Sequence, residues 1–397
     1  MSENIAYDQF TLTDFSENKK VIPIYYQNGA FWHTDIKLPD LLLINESQAT
    51  LEVEKVVIIG FAQGKEMVKL YVDKEIIAES TRSIHQFLKK QRSSSGIWSS
   101  YNLGMLFGKL PSLLYPFEDL PLPSNSAACL RLQDMIWFHF AGTMKIDHIS
   151  CEVIIAFEEK QQSIIQEVSL TPYTCKGDYI FPLKGQVTIT GMPINRVLGH
   201  RIATSQEFAF DVVDFRPKKT GGFSPSDPPD SSHVRDYFLF ERSVLAIGDG
   251  VVVASGNRWP NSWVENPLIN PDDRIVKQTQ QLLDRGVDFV HAILGNFVIL
   301  DHQNGEFSVY AHMSENSITV QAGDPVSQGQ VIGQVGNTSN SDFPHLHFHL
   351  MDSPDFITAN GLPVRFKNLP DGQPALWDFS KANTLIYSDY IFLNIPA

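Results

Sequence analysis

Short apolar or alternating runs dominate the first 165 residues. The stretches 51–61 (LEVEKVVIIGF), 66–72 (EMVKLYV) and 151–159 (CEVIIAFEE) have the apolar pattern typical of β-strands. One stretch, residues 79–91, places apolar side chains at helical spacing and predicts a helix. This part of the chain carries no cluster of residues suited to catalysis. We therefore predict that residues 1–165 form a β-sandwich-like accessory region, built as one or two small modules.

From about residue 166 the pattern changes to short β-branched runs separated by glycine turns. The clearest examples are residues 243–257 (SVLAIGDGVVVASGN) and 295–313 (GNFVILDHQNGEFSVYAHM). Pairs such as G-D, N-G and G-N between such runs favour tight turns that join antiparallel strands. The sequence therefore predicts an antiparallel β domain over residues 166–375. We expect an insertion at residues 258–294 and a C-terminal strand or tail at residues 376–397.

Composition and charge narrow the class of protein. The formal net charge of −14 argues against a nucleic-acid-binding protein, which normally carries a basic face. No apolar run is long enough to predict a membrane-spanning helix. The first fifteen residues are polar and acidic, so no signal peptide is visible. The three cysteines form neither a disulfide framework nor a C-x-x-C metal pair. These observations leave the localisation open.

The segment 343–349 (FPHLHFH) is the part of the sequence with the clearest chemistry. Residues two apart in a strand point to the same face, so His345 and His347 are expected to project side by side. Leu346 and Phe348 would then enter the core. A metal hydrolase needs such a pair, with one imidazole as a ligand and the other to handle a proton of the attacking water.

Two further segments carry candidate residues. His312 follows the strand-like run FSVYA, and a G-D-x-V-x-x-G-Q hairpin signature comes directly after it. Upstream, His200 and Asp211 bracket a short apolar run. The alternation there places Asp211 on the opposite strand face from Phe210 and its apolar neighbours.

With these segments in order, residues 171–365 resemble the lysostaphin-like, LytM-type zinc metallopeptidases. The matching motifs are AIGDGVVVAS, GNFVILDHQNGEFSVYAHM, VQAGDPVSQGQVIGQVGNTSNSDFPHLHFHL and NGLPVRF. The resemblance implies an antiparallel β-sheet of the duplicated-hybrid-motif type with a groove. It also implies a Zn²⁺-dependent endopeptidase that cleaves peptide bonds in peptidoglycan cross-bridges or stem peptides. A location in the cell envelope or outside the cell is implied as well.

The resemblance also implies roles for individual residues. His347 and Asp211 would be zinc ligands, His345 would act on the water, and His312 would lie opposite it in the groove. Two histidines and one carboxylate with an open position describe a catalytic zinc site, since a structural site would be closed by four protein ligands. Zinc lowers the pKa of water towards neutrality. His345 then serves as the general base, and His312 donates to the oxyanion, a contribution of about 2.7–4 kcal/mol.

The sequence departs from the family pattern at two positions. The common form has a histidine four residues before the aspartate, where this chain has Glu207, and we assign the third ligand to His200 instead. Glu207 stays open as an alternative ligand. His349 stands where many relatives have a glutamate, and a supporting role beside the ligands is open for it. The change at Glu207 also leaves a second interpretation, a catalytically degenerate LytM-type regulator or cell-wall-binding protein.

Overall fold

The structure is a computed structural model in which the chain divides into two compact units, Met1–Tyr173 and Thr174–Ala397. Both are built mainly from antiparallel strands, which confirms the predicted fold class. No helix among the described residues is both long and apolar enough to cross a lipid bilayer. The structure describes residues 10–14, 20–28, 30–93, 115–131, 137–157, 160–190, 200, 203–262, 281, 283–369 and 391–396.

The first unit combines three antiparallel sheets with one long helix. A four-stranded sheet has the order β10-β9-β5-β6, and two three-stranded sheets have the orders β1-β4-β7 and β2-β3-β8. The elements are β1 (Phe10–Asp14), β2 (Ile24–Asn28), β3 (Phe31–Lys37), β4 (Leu41–Asn45), β5 (Glu52–Ala62), β6 (Lys65–Asp73), α1 (Lys74–Ser93), β7 (Ser126–Leu130), β8 (Trp137–Gly142), β9 (His148–Phe157) and β10 (Lys160–Val168).

Apolar side chains from all three sheets and from α1 share one core in this unit. Leu43 of β4, Val153 of β9 and Ile77 of α1 are among its buried members. The helix predicted over residues 79–91 is present and begins earlier, at Lys74. The buried side chains Ile77, Thr81 and Ile84 recur at helical spacing, so the buried face extends N-terminal to the predicted start.

One buried histidine joins α1 to the neighbouring segments of the first unit. The Nδ1 of His85 lies 3.0 Å from a carboxylate oxygen of Asp119, and its Nε2 accepts a hydrogen bond from the backbone N–H of Cys129 at 3.1 Å. Burial lowers the pKa of His85, although Asp119 opposes this shift. The neutral imidazole thus acts as a structural link between three segments.

The second unit is organised around one nine-stranded sheet. Its order is β19-β16-β17-β18-β21-β12-β11-β23, with β22 paired to β21. The elements are β11 (Gly185–Thr190), β12 (Phe210–Val213), β13 (Arg216–Pro217), β14 (Phe223–Ser224), a 3₁₀ turn (Val234–Asp236), β15 (Ser243–Leu245), β16 (Gly250–Gly256), α2 (Phe289–Leu294), β17 (Phe297–Asp301), β18 (Phe307–Ala311), β19 (Pro325–Val326), β20 (Val331–Gln334), β21 (Leu346–Met351), β22 (Gly361–Leu362) and β23 (Ile391–Ile395).

Strand β21 lies between β18 and β12 near the middle of this sheet. Leu346 and Phe348 point to one face and are fully buried, as the alternation predicts. The ring of Phe348 packs against Phe210 of β12 and Tyr310 of β18, with centroid distances of 5.3 Å to each. This aromatic layer holds the three central strands together, and the histidines of β21 lie on the opposite face.

Two predicted segments are described only in part. In the predicted insertion at residues 258–294, residues 263–280 lie outside the described residues, and the end of the insertion forms α2. In the predicted tail at residues 376–397, the described part is β23, which pairs antiparallel with β11. That edge strand extends the sheet beyond β11.

Candidate active site

Backbone register brings the candidate residues of the central strands together. Asp211 of β12 pairs directly with His347 of β21, and Ala311 of β18 pairs with the same histidine from the other side. His312 follows Ala311, and His345 immediately precedes β21. Directly opposed residues on adjacent strands have neighbouring side chains. Three strands therefore deliver these residues to one place.

His200, Asp211 and His347 converge on a single point. Nδ1 of His347 lies 3.2 Å from Nε2 of His200 and 3.1 Å from Oδ1 of Asp211, and Nε2 of His200 lies 3.4 Å from Oδ2 of Asp211. All three ligand atoms are within 4.8 Å of one another, and no other such group occurs among the described residues. Two imidazole nitrogens and one carboxylate fit a zinc ion that keeps an open coordination position.

The protonation states of these groups also fit a cation. Burial alone would raise the pKa of Asp211, but His200, His345 and His347 bring it below its usual range. Burial, together with the charge of His200, lowers the pKa of His347 to about 4. At neutral pH the carboxyl is therefore ionised and the His347 ring is neutral. Metal ligands must be unprotonated, so Asp211 and His347 are ready to bind.

The orientation of His345 follows from a backbone carbonyl. Its Nδ1 lies 2.8 Å from the carbonyl oxygen of Phe343 and 3.1 Å from Oγ of Ser341. Because a carbonyl oxygen only accepts, Nδ1 must carry the proton. In the neutral form of the ring, Nε2 then has the lone pair, and this atom lies 3.7 Å from Oδ1 of Asp211. His345 thus presents a proton acceptor beside the converging ligands.

His312 is held in the same tautomer by a second carbonyl. Its Nδ1 donates to the carbonyl oxygen of Thr338 at 2.9 Å, and its ring centroid lies 4.8 Å from that of His345. Burial, together with His345 and His347, keeps the pKa of His312 well below its usual range. Its Nε2 is therefore also a bare acceptor. Donation to an oxyanion from this atom requires that His312 first take up a proton.

The backbone of His312 has a φ of +60°, a left-handed conformation that is uncommon for a residue with a side chain. Its N–H donates to the carbonyl oxygen of Leu294 at 2.9 Å, and its own carbonyl accepts from the N–H of Gly336 at 3.1 Å. These two bonds hold the turn that follows β18. The chain therefore bends at His312 and directs the ring towards the neighbouring strand.

The loop of residues 336–344 supplies both of these carbonyls. Thr338 is fixed on its other side as well, because its Oγ1 accepts from the N–H of Asn296 and donates to the carbonyl of Met313, both at 3.0 Å. Gly295 makes this possible, since a Cβ at that position would lie 2.5 Å from Oγ1 of Thr338. Sequence reasoning did not identify Thr338. The polar run NTSNSD before Phe343 predicts a loop there, but it does not indicate which of the loop carbonyls orient the rings.

A side-chain network continues from this loop to the start of the insertion. Oγ of Ser341 donates to Oδ1 of Asn337 at 2.6 Å, and Nδ2 of Asn337 donates to the carbonyl of Ser262 at 3.0 Å. The N–H of Ser262 in turn donates to the carbonyl of Asn337 at 2.7 Å. Residues 258–262 are thereby tied to the loop that orients His345.

Glu207 and His349, whose roles the sequence leaves open, have different surroundings. Glu207 is buried in the turn before β12 and is not a member of the converging group. His349 is fully buried on β21, and its Nδ1 lies 3.1 Å from Nε2 of His347. His349 therefore contacts a candidate ligand, on the side of the ring that faces away from Asp211.

Comparisons with known proteins identify part of this unit. Residues 284–364 match the family model described as Peptidase family M23. The peptidoglycan DD-endopeptidase ShyA of Vibrio cholerae is 34% identical over 88 residues, which cover 22% of this chain and 18% of that protein. The DD-carboxypeptidase/endopeptidase Mpg of Neisseria meningitidis is 39% identical over 88 residues, with the same coverage of 22% and 18%. The similarity thus spans under a fifth of the length of these relatives.

Among solved structures, the catalytic domain of lysostaphin from Staphylococcus simulans is similar at 27% identity. The alignment covers 31% of this chain and 68% of that domain, with a TM-score of 0.20. The segment matched by the family model contains His312, His345 and His347, whereas His200 and Asp211 lie upstream of it. The assignment of His200 and Asp211 to the candidate site therefore depends on the geometry described above.

Proposed function

We propose that this chain, whose second unit contains a LytM-type domain of peptidase family M23, is a zinc-dependent endopeptidase. The observation that carries the proposal is the convergence of His200, Asp211 and His347 beside two further imidazoles. A peptidase that activates water needs a Lewis acid and a proton acceptor within reach of one reacting centre. The site brings candidates for both into one place.

For the substrate we propose peptide bonds of peptidoglycan, in cross-bridges or stem peptides. The support is the similarity to relatives named as a peptidoglycan DD-endopeptidase and a DD-carboxypeptidase/endopeptidase. The acidic balance of the chain, with a net charge of −14, disfavours loose adhesion to anionic envelope polymers. Binding of the substrate would therefore depend on the shape and hydrogen bonding of the site itself.

In this proposal His200, Asp211 and His347 hold the zinc ion. When bound, zinc lowers the pKa of water and polarises the scissile carbonyl. His345 accepts a proton at Nε2 as the water attacks, because its Nδ1 is already committed to the carbonyl of Phe343. The imidazolium that results can return this proton to the leaving amine.

His312 faces His345 and has the same bare Nε2. Once it has taken up a proton, it can donate a hydrogen bond to the oxyanion, which is the role that the sequence predicts for it. The carbonyl of Thr338 keeps the ring in place during both steps. The two imidazoles thus share the proton chemistry, and neither is needed to hold the metal.

The test is zinc content combined with turnover. The full chain is purified gently, its zinc is measured by elemental analysis, and hydrolysis of isolated peptidoglycan is followed before and after removal and return of the metal. We expect about one zinc per chain and a turnover that disappears and returns with it. His347→Ala is the control that should lose both. A zinc content near zero that added zinc does not restore contradicts the proposal.

A second candidate function is a non-catalytic regulator or cell-wall-binding protein with the same fold. The observation that favours it is Glu207, which stands where the family pattern has a ligand histidine. The same experiment separates the two candidates. Retained binding to peptidoglycan without zinc and without turnover supports the regulator. Zinc-dependent turnover supports the peptidase.

A further inference from the structure

We propose that His349 is a positioning residue that sets the tautomer and orientation of the zinc ligand His347, a role that rests on the proposed function. The His349 side chain is fully buried, and its Nδ1 lies 3.1 Å from Nε2 of His347. On the other side of the His347 ring, Nδ1 faces Asp211 and His200. His347 is therefore held between the ligand set and His349.

Counting protons on the two rings shows what His349 does. A ring nitrogen that binds a metal offers a lone pair, so the neutral His347 ring must then carry its hydrogen at Nε2. Among the residues that the structure describes, the partner in reach of that hydrogen is Nδ1 of His349, which must be bare to accept it. The hydrogen of His349 is then at its own Nε2. Ligands of this kind commonly donate their second N–H to a fixed acceptor.

Without the metal the arrangement reverses. The 3.1 Å contact with Asp211 favours a hydrogen on Nδ1 of His347, so Nε2 of His347 becomes the acceptor and Nδ1 of His349 the donor. Passing between the two states moves one proton from His349 Nδ1 to His347 Nε2. A second proton is released from His347 Nδ1 to solvent, and one proton from solvent is taken up at His349 Nε2. Each ring keeps one hydrogen throughout, and the pair stays neutral.

The surroundings of His349 leave its tautomer free to follow that of His347. Its Nε2 has no hydrogen-bond partner among the described residues, so no other group fixes where its hydrogen lies. The cross-strand neighbour of His349, Val309, is apolar and fully buried. The ring centroids of His349 and Phe356 lie 5.8 Å apart. An imidazole with apolar neighbours, whose polar contact among the described residues is a candidate ligand, is suited to tuning that ligand.

The first experiment measures zinc affinity of the full chain by competition with a chelator. His349→Leu fills the pocket without an acceptor, and we expect a 10–100-fold weaker affinity. His349→Asn keeps an acceptor near the position of Nδ1 and should recover most of this loss. Val309→Ala is the control for general damage to the core at the same place and should change affinity less than threefold. Equal affinity of the leucine variant and the wild type overturns the proposal.

The second experiment does not depend on a variant that folds. Imidazole ¹⁵N spectra of the histidine-labelled wild type, recorded metal-free and with zinc, report the tautomer of each ring. We expect His347 and His349 to change from Nδ1–H to Nε2–H together when zinc is added. A His349 tautomer that stays constant while His347 changes overturns the proposal. Hydrolysis does not enter either readout, so a zinc-binding chain that cleaves nothing would refute the proposed function and leave this inference standing.

Discussion

Replacing His345 by alanine is expected to abolish hydrolysis and leave the zinc in place. Its Nε2 lies 3.7 Å from Oδ1 of Asp211, beyond hydrogen-bond distance, and His345 is not one of the three converging donors. The variant keeps His200, Asp211 and His347. Loss of a general base commonly costs about 10²–10⁴ in rate, which corresponds to about 2.7–5.4 kcal/mol in the activation barrier.

The matched comparison is His347→Ala, which removes a donor from the ligand set itself. With two ligands left, and with Asp211 deprived of its 3.1 Å contact, the zinc content of this variant should fall far below one per chain. His312→Ala belongs with His345→Ala, because the His312 Nδ1 is occupied by the carbonyl of Thr338 and its ring lies 5.9 Å from that of His347.

The assay is elemental analysis of each purified variant beside its turnover of peptidoglycan fragments at saturating zinc. Far-ultraviolet circular dichroism checks that each variant is folded. The division of roles is wrong if either His345→Ala or His312→Ala loses zinc as completely as His347→Ala. It is also wrong if His345→Ala retains more than about a tenth of the wild-type rate, since a general base contributes at least about a hundredfold.

Three further predictions address stability and fine positioning. Ser341→Ala should lower kcat by tenfold or less at full zinc content, because the carbonyl of Phe343 still binds the Nδ1 of His345; steady-state kinetics tests this, and a loss as large as that of His345→Ala contradicts it. The free energy of unfolding of His312→Gly should exceed that of His312→Ala by about 1 kcal/mol, because glycine adopts the +60° φ without strain. Urea titrations measure this difference, and the opposite order counts against the prediction. The folded-state pKa of His85 lies below the unfolded value of about 6.5, so the unfolded chain binds more protons and stability should fall as pH drops below that value; denaturant midpoints from pH 8 to 5 measure this, and His85→Gln should flatten the dependence.

Much of the sheet at the site could be predicted from the sequence because strands have a period of two. That period correctly placed Leu346 and Phe348 in the core and the histidines of β21 on the other face. The resemblance to LytM-type peptidases is confirmed by the match of residues 284–364. The individual roles of the site residues stay predictions, since they depend on a bound metal and a substrate.

Other features of the site have no signature in a single sequence. The acceptors that orient His345 and His312 are backbone carbonyls, which every residue has, so Phe343 and Thr338 carry no identifying side chain. His200 and Asp211 are assigned to one ligand set in the sequence only through the family resemblance, because the stretch between them lacks a strand pattern. The order of strands in the sheet is set by packing between segments that are distant in the sequence, such as β12 and β21. Turn residues indicate only which consecutive strands are joined.

The loop of residues 336–344 separates metal binding from proton transfer in the proposed site. Two of the three proposed metal donors belong to paired strands of the central sheet, whereas both imidazoles that we propose for proton transfer take their orientation from carbonyls of this one loop. The loop is tied through Asn337 to Ser262, at the end of residues 258–262. In the proposed mechanism, a displacement of these residues that turned both rings away would stop hydrolysis while the metal content stayed unchanged. Measurements of bound zinc alone would then overstate the active fraction of a preparation, and an inhibitor that grips this loop would not have to compete with the metal.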